Sequence, residues 1–316
     1  MKTLYSIRVL LSILLMALPA GAKELEVSPQ APWEKQGDAF VIQYDGSASA
    51  ALKGSAEVEA ETYYQIRWRM KASIDDARAS FSILVGVGEF GSSRNFYVVA
   101  DAWNEYSFFL YSGSATRVDA AFQPAPSAAK RLELRGISIE KIPASRFSQN
   151  LVPDGLFTAA AKFPVLFQPV KENTNLAATL VPVTDFLAGE QCVKLRLANI
   201  GSKPSAMESA YLPMIPGKSF RFTFWAKADV EVVLNTFLNG WSMYRHSGGH
   251  WYKGTPFKIG PDWNEYSYVV DIPQDFAAFP DLRARTVKMN FSAKKWDEKG
   301  AIWISGIQFA LAEERK

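Results

Sequence analysis

The chain has 316 residues, 48% of them hydrophobic and 13% aromatic, with 35 Lys and Arg against 32 Asp and Glu. That length exceeds what one compact core usually holds, so two domains are expected. The near balance of charge excludes the basic face that a nucleic-acid partner demands, and the single Cys excludes an intrachain disulfide, leaving apolar cores to hold the fold.

At the N-terminus, Lys2 and Arg8 accompany an apolar run over residues 9–18. Pro19 ends it, and Ala20-Gly21-Ala22 offers the small residues a signal peptidase needs. The run is too short to span a bilayer comfortably, and no later segment approaches that length. Residues 1–22 therefore read as a cleaved signal peptide. The mature protein would begin at Lys23 and be secreted or periplasmic, with membrane anchoring as the minor alternative.

Along the chain, Tyr64, Ile66, Trp68 and Met70 alternate with Gln65, Arg67, Arg69 and Lys71, the period of a half-buried strand. Gly86, Gly88 and Gly91 match a dinucleotide fingerprint in spacing, but that chemistry needs a helix N-terminus directly after the glycines. Asn95-Phe96-Tyr97-Val98-Val99 reads as a strand instead, so the glycines mark a turn. Next comes Trp103-Asn104-Glu105-Tyr106-Ser107-Phe108, and then the strand-like Leu132-Glu133-Leu134-Arg135-Gly136-Ile137. A junction is expected over residues 143–150. Cys192 lies in a strand-like stretch without a basic setting and reads as a packing residue.

The second half repeats the first. Phe220, Phe222, Phe224 and Ala226 reproduce the alternation of residues 64–70, and Trp263-Asn264-Glu265-Tyr266-Ser267-Tyr268 reproduces the Trp103 block. Ile302-Trp303-Ile304-Ser305-Gly306-Ile307 reproduces the block at 132. Three blocks in the same order make a duplicated module. Alternating strands separated by turns, with no long amphipathic helix, predict an all-β protein of two tandem antiparallel β-sandwich (jelly-roll) domains, residues 23–149 and 150–316.

Asn150-Leu151-Val152-Pro153-Asp154-Gly155-Leu156-Phe157, the strand ending Trp225-Ala226-Lys227-Ala228, Trp263-Asn264-Glu265-Tyr266 and Ile302-Trp303-Ile304-Ser305-Gly306-Ile307 follow one another in an order that resembles the galactose-binding-like jelly rolls. The likeness is to carbohydrate-binding modules of the family-four, nine and twenty-two type. It covers most of the second module and, more weakly, the first. It implies a sandwich of eight to ten strands accompanying a glycan-degrading enzyme. Such modules often hold a structural calcium through a Glu after the opening Gly-x-Phe and an acidic pair in the closing strand. Here Thr158 and Ser305-Gly306 stand at those positions, and no metal or other cofactor is expected.

The two copies differ most between the first strand block and the Trp-Asn-Glu block. Residues 73–101 contain no Trp, whereas residues 229–262 carry Trp241, Tyr244, Trp251 and Tyr252 amid Gly240, Gly248, Gly249 and Gly254, with Asn239, Arg245 and His246. This stretch reads as loop. Trp225, outward by alternation, stands where the first copy has Arg69. Aromatic faces stack on sugar rings while amides and Arg bind hydroxyls, so these eight residues form the expected glycan site. The competing reading folds Trp241 or Trp251 back as a lid on the core or against the first module.

His246 and His250 have helical metal-binding spacing, but Ser247-Gly248-Gly249 argues against a helix there. Glu265 and Asp271 could be imagined as a glycosidase pair, yet Glu105 repeats Glu265 beside the same Trp and Tyr, which marks a shared turn. The sequence thus points to a non-catalytic carbohydrate-binding protein, with a polysaccharide or oligosaccharide as ligand and a glycan-degrading enzyme as a conceivable partner. A cell-surface assembly protein and a polysaccharide-degrading enzyme are the competing readings.

Overall fold

The structure is a computed structural model. It describes residues 22–29, 32–43, 51–74, 79–87, 90–98, 102–124, 129–153, 167–169, 179–182, 191–197, 205–209, 211–241, 251–274, 286–294 and 300–312. The expected signal peptide lies outside the described residues up to position 21. Ala22 opens the first strand, opposite Glu140.

In chain order the strands are β1 (Ala22–Glu24), β2 (Glu26–Ser28), β3 (Glu34–Gln36), β4 (Ala39–Gln43), β5 (Leu52–Glu57), β6 (Tyr63–Ile74), β7 (Ala79–Val87), β8 (Phe90–Val98), β9 (Asn104–Tyr111), β10 (Arg117–Pro124) and β11 (Ala129–Lys141). A short 3-10 helix, Ala144–Ser148, follows. Then come β12 (Phe167–Pro169), β13 (Thr179–Pro182), β14 (Gln191–Leu197), β15 (Ser205–Ser209), β16 (Leu212–Pro213), β17 (Ser219–Ala228), β18 (Val232–Trp241), β19 (Trp251–Ile259), β20 (Asn264–Asp271), β21 (Thr286–Lys294) and β22 (Gly300–Leu311).

Four antiparallel sheets result. Sheet A runs β3-β4-β11-β6-β9 with β1 on β11, and sheet B runs β2-β5-β10-β7-β8. Sheet C runs β12-β15-β21-β18-β19 with β16 on β21, and sheet D runs β13-β14-β22-β17-β20. Sheets A and B meet through Trp68, whose ring lies 5.4 Å from Phe122. Sheets C and D meet where Phe224 of β17 lies 5.4 Å from both Phe257 and Phe291. The architecture is therefore the all-β pair of sandwiches that the alternation predicted.

Alternation explains the cores directly. Ile66, Trp68 and Met70 are fully buried, and so are Phe220, Phe222, Phe224 and Ala226. Each buried Phe contributes about 1.5–3 kcal/mol of transfer free energy. The glycine-spaced segment after residue 86 is a hairpin: Gly86 pairs with Gly91 across β7 and β8, and Asn95 to Val98 continue as strand. Cys192 is buried in β14, as a packing residue should be.

The two halves touch along β9, which packs on β16 and β21. Tyr63 donates its hydroxyl to the Met214 carbonyl, and Phe108 meets Tyr211 edge-on at 5.9 Å. Asn150 follows the 3-10 helix and fastens this region to β22. Its Oδ1 accepts from the N–H groups of Val152 and Phe309, and its Nδ2 donates to the Ile307 carbonyl.

Candidate functional site

Sheet D presents an aromatic outer face. Because β17 sends Phe222, Phe224 and Ala226 into the core, Trp225 and Lys227 point the other way and are only partly buried. The same logic acts in β22, where buried Ile302 and Ile304 turn Trp303 outward. Register then aligns a row across four strands. Lys194 of β14 pairs with Trp303, Trp303 pairs with Lys227, and Trp263, directly before β20, lies beside Lys227. The Lys194 ammonium sits 5.0 Å from the Trp303 ring. Lys227 sits 5.3 Å from Trp263 and 5.6 Å from Trp303. Each such contact is worth about 0.5–1 kcal/mol at an exposed site.

Trp225 lies one step along this face. A register shift between Thr223 and Trp225 marks a bulge against β22, where Gly306 adopts φ +59. A Cβ built on Gly306 would fall 2.9 Å from Trp225 Cδ1, so the indole rests directly on the glycine backbone. Opposite Trp225 stands exposed Glu265. Thr223 Oγ1 and Ser267 Oγ share a hydrogen bond of 3.1 Å on the same face, and Ser219 Oγ donates to Asp271 Oδ1 at 2.5 Å.

The duplicated face in sheet A is different in kind. Arg69, Glu133 and Arg135 stand where sheet D has Trp225, Trp303 and Ser305. Glu133 and Arg135 belong to a web of ion pairs: Arg131 with Glu133 at 3.0 Å, Arg135 with Asp38 at 3.6 Å and Arg67 with Glu140 at 2.7 Å. Arg135 also covers the Trp103 ring at 4.1 Å. One tryptophan with a cation over it is thus common to both copies. Trp225 and Trp303 are added only in the second. Alternation around Ile302 and Ile304 was the signal that could have singled out Trp303, which the sequence reading did not select; Trp263 was hidden inside the repeated motif.

The described members of the expected glycan site fall on two sheets. Trp225 is on sheet D. The stretch read as loop is mostly a hairpin of sheet C, with Asn239 opposite Tyr252, Gly240 opposite Trp251, and Trp241 opposite Thr286. Its polar residues are tolerated there because β18 is an inner strand whose backbone groups pair on both sides with β19 and β21. Asn239 is partly buried. Tyr244, Arg245, His246 and His250 lie outside the described residues. Glu265 and Asp271 both sit exposed on β20, six positions apart, with Asp271 bound to Ser219.

Two further features frame the site. Inside the second sandwich, burial pushes the Tyr268 phenol up to about 12, with Thr236 offsetting part of the shift. On sheet B an open groove of about 490 Å³ is lined by Lys53, Ser55, Leu84, Gly86, Arg117 and Asp119 among others, with no aromatic ring. There Arg117 bonds Asp119 at 3.1 Å and Ser55 at 3.0 Å. No helix among the described residues is long and apolar enough to cross a membrane.

No protein-family model matches the chain, and no curated protein matches it. Solved structures do. The enzymatically active domain of bacteriophage CBA120 tailspike protein 4 matches at 18% identity over 52% of this chain and 21% of that one, TM-score 0.38. TmCBM61 in complex with beta-1,4-galactotriose matches at 12% identity over 52% of this chain and all of that one, TM-score 0.35. The N-terminal CBM22-1-CBM22-2 tandem domain of Paenibacillus barcinonensis Xyn10C matches at 13% identity over 94% of this chain and 95% of that one, TM-score 0.36. Carbohydrate-binding modules, one of them itself a tandem, thus recur among the structures this chain is similar to.

Proposed function

We propose that the protein is an exported, non-catalytic glycan-binding protein whose second sandwich, residues 150–316, holds sugar rings, with residues 23–149 as a spacer or degenerate second site. The carrying observation is the exchange of charge for indole on one sheet face. Trp225 and Trp303 stand, partly exposed, where the duplicate has Arg69 and ion-paired Glu133. Partly exposed rings grouped on one sheet face suit a ligand. Stacking over Trp225, Trp263 and Trp303 would supply contact area, and exposed Glu265 and Ser267 would meet hydroxyls. The β18–β19 hairpin, with Asn239, Trp241, Trp251 and Tyr252, is a separate contact region on the other sheet, joined by Tyr244, Arg245 and His246.

A polysaccharide panel probed with the full chain tests this reading. Trp303→Ala should weaken binding of any captured glycan about tenfold or more while leaving the melting temperature within a few degrees. A Trp241→Ala, Trp251→Ala double variant separates the two surfaces. If it abolishes binding while Trp303→Ala and Trp225→Ala leave it intact, the site belongs to the hairpin. Absence of binding to every glycan on the panel overturns the function.

A further inference from the structure

We infer that the sheet D face selects acidic glycans, polysaccharides carrying carboxylate or sulfate groups. The inference rests on the glycan-binding reading of that face. Its ground is the alternation Trp263, Lys227, Trp303, Lys194 across four neighbouring strands. Strands are spaced about 4.8 Å apart, so like groups in this row recur at about 10 Å. A 1,4-linked pyranose chain advances by about one strand spacing per sugar. A chain laid across the strands would therefore meet ring, cation, ring, cation at successive sugars.

The chemistry of the cations favours an anion over a neutral hydroxyl. An ammonium has three N–H donors and no acceptor. Lys194 directs one side to the indole of Trp303, and donors on its solvent side suit a carboxylate or sulfate oxygen. Holding both lysines over rings also fixes where their charge lies before a ligand arrives, which reduces the ordering cost on binding. On the duplicate face Arg67, Arg131 and Arg135 each have a carboxylate partner on the protein itself.

The test uses the full chain with four probes: polygalacturonate for carboxylates, dextran sulfate for sulfate esters, and galactan and xylan as neutral chains, each at low and high salt. At least one anionic probe should bind more tightly than the neutral ones and lose about tenfold in affinity as salt screens the lysines. Lys194→Gln and Lys227→Gln should each remove most of that salt dependence, and the probe that responds distinguishes carboxylate from sulfate recognition. Lys194→Met keeps apolar bulk over Trp303 and should behave like Lys194→Gln. Preference for galactan or xylan, lost in Trp303→Ala but unchanged in the lysine variants, would overturn the acidic-glycan inference and leave the glycan-binding reading standing. Salt-dependent binding of an anionic probe that survives both lysine substitutions would also overturn it. Failure of all four probes counts against both.

Discussion

Replacing Gly306 by alanine probes how Trp225 is held, and Gly136→Ala is its internal control. Both glycines have φ +59 at equivalent positions of the closing strand. An L-residue in that left-handed region costs roughly 1–2 kcal/mol. For Gly136→Ala this is the whole expected cost, since nothing lies within 4 Å of the added carbon. At Gly306 the same carbon would come 2.9 Å from Trp225 Cδ1, well inside the optimal carbon separation of about 3.5–4.0 Å. Cδ1 sits next to the ring carbon that joins the side chain, so a small swing of the far ring edge cannot relieve the clash. Either the indole leaves the bulge or the strand shifts, and overpacking of this kind costs about 1–3 kcal/mol. Gly306→Ala should therefore destabilise by about 2–5 kcal/mol, the sum of the two costs. Urea unfolding of the full chain measures both variants. Repeating Gly306→Ala in a Trp225→Ala background should reduce its cost to that of Gly136→Ala, because the ring is gone. Equal costs for the two glycines in the parent chain, with no coupling in the double variant, would refute the resting of Trp225 on Gly306.

Alkaline pH should expose Tyr268. Its phenol is pushed from the ordinary 10.0 up to about 12 by burial, so the folded state keeps a proton that the unfolded chain gives up. Stability is then intact below pH 10 and falls as pH rises from about 10 to about 12. Tyr268→Phe should flatten that part of a stability-against-pH curve, and a curve as steep as the parent's would contradict the assignment. Division between Gln149 and Asn150 keeps Asn150 with its β22 partners, so residues 150–316 should fold cooperatively by circular dichroism. Residues 23–149 should fold but self-associate in light scattering, because Phe108 and Phe109, each 1% exposed in the whole chain, lose their cover on β9. A monomeric first half would show that the second half does not bury them.

Strands governed by their own alternation were legible. Residues 64–70 and 220–226 each put every second side chain into a core, with Gln65 and Thr223 buried on the opposite face as well. What the sequence hid depends on neighbours in space. The segment around Gly240 and Gly254 looked like loop because its glycines and amides suggested turns, yet Leu234, Thr236 and Leu238 alternate inward and are fully buried. Aromatic residues stand out in the sequence where the two copies differ most, over residues 229–262. The indole at 303 instead arises inside an aligned block, at a position where the other copy has a carboxylate. Likewise nothing in residues 104–111 announces that Ser107 and Phe109, on the face opposite Tyr106 and Phe108, are buried too. That follows from what lies over β9.

The unequal fate of the equivalent strands β9 and β20 gives the chain a direction. β9 has seven of its eight residues buried, with only Glu105 exposed. β20 is exposed along one side, where Val269 is 42% exposed and Asp271 replaces the aromatic of Tyr111. A chain rebuilt with its halves in reversed order would bring Asp271 under protein and leave Phe109 in water. Duplication made the halves alike, but each has since become fit for only one place in the line, so the pair cannot be lengthened by simply copying its last member.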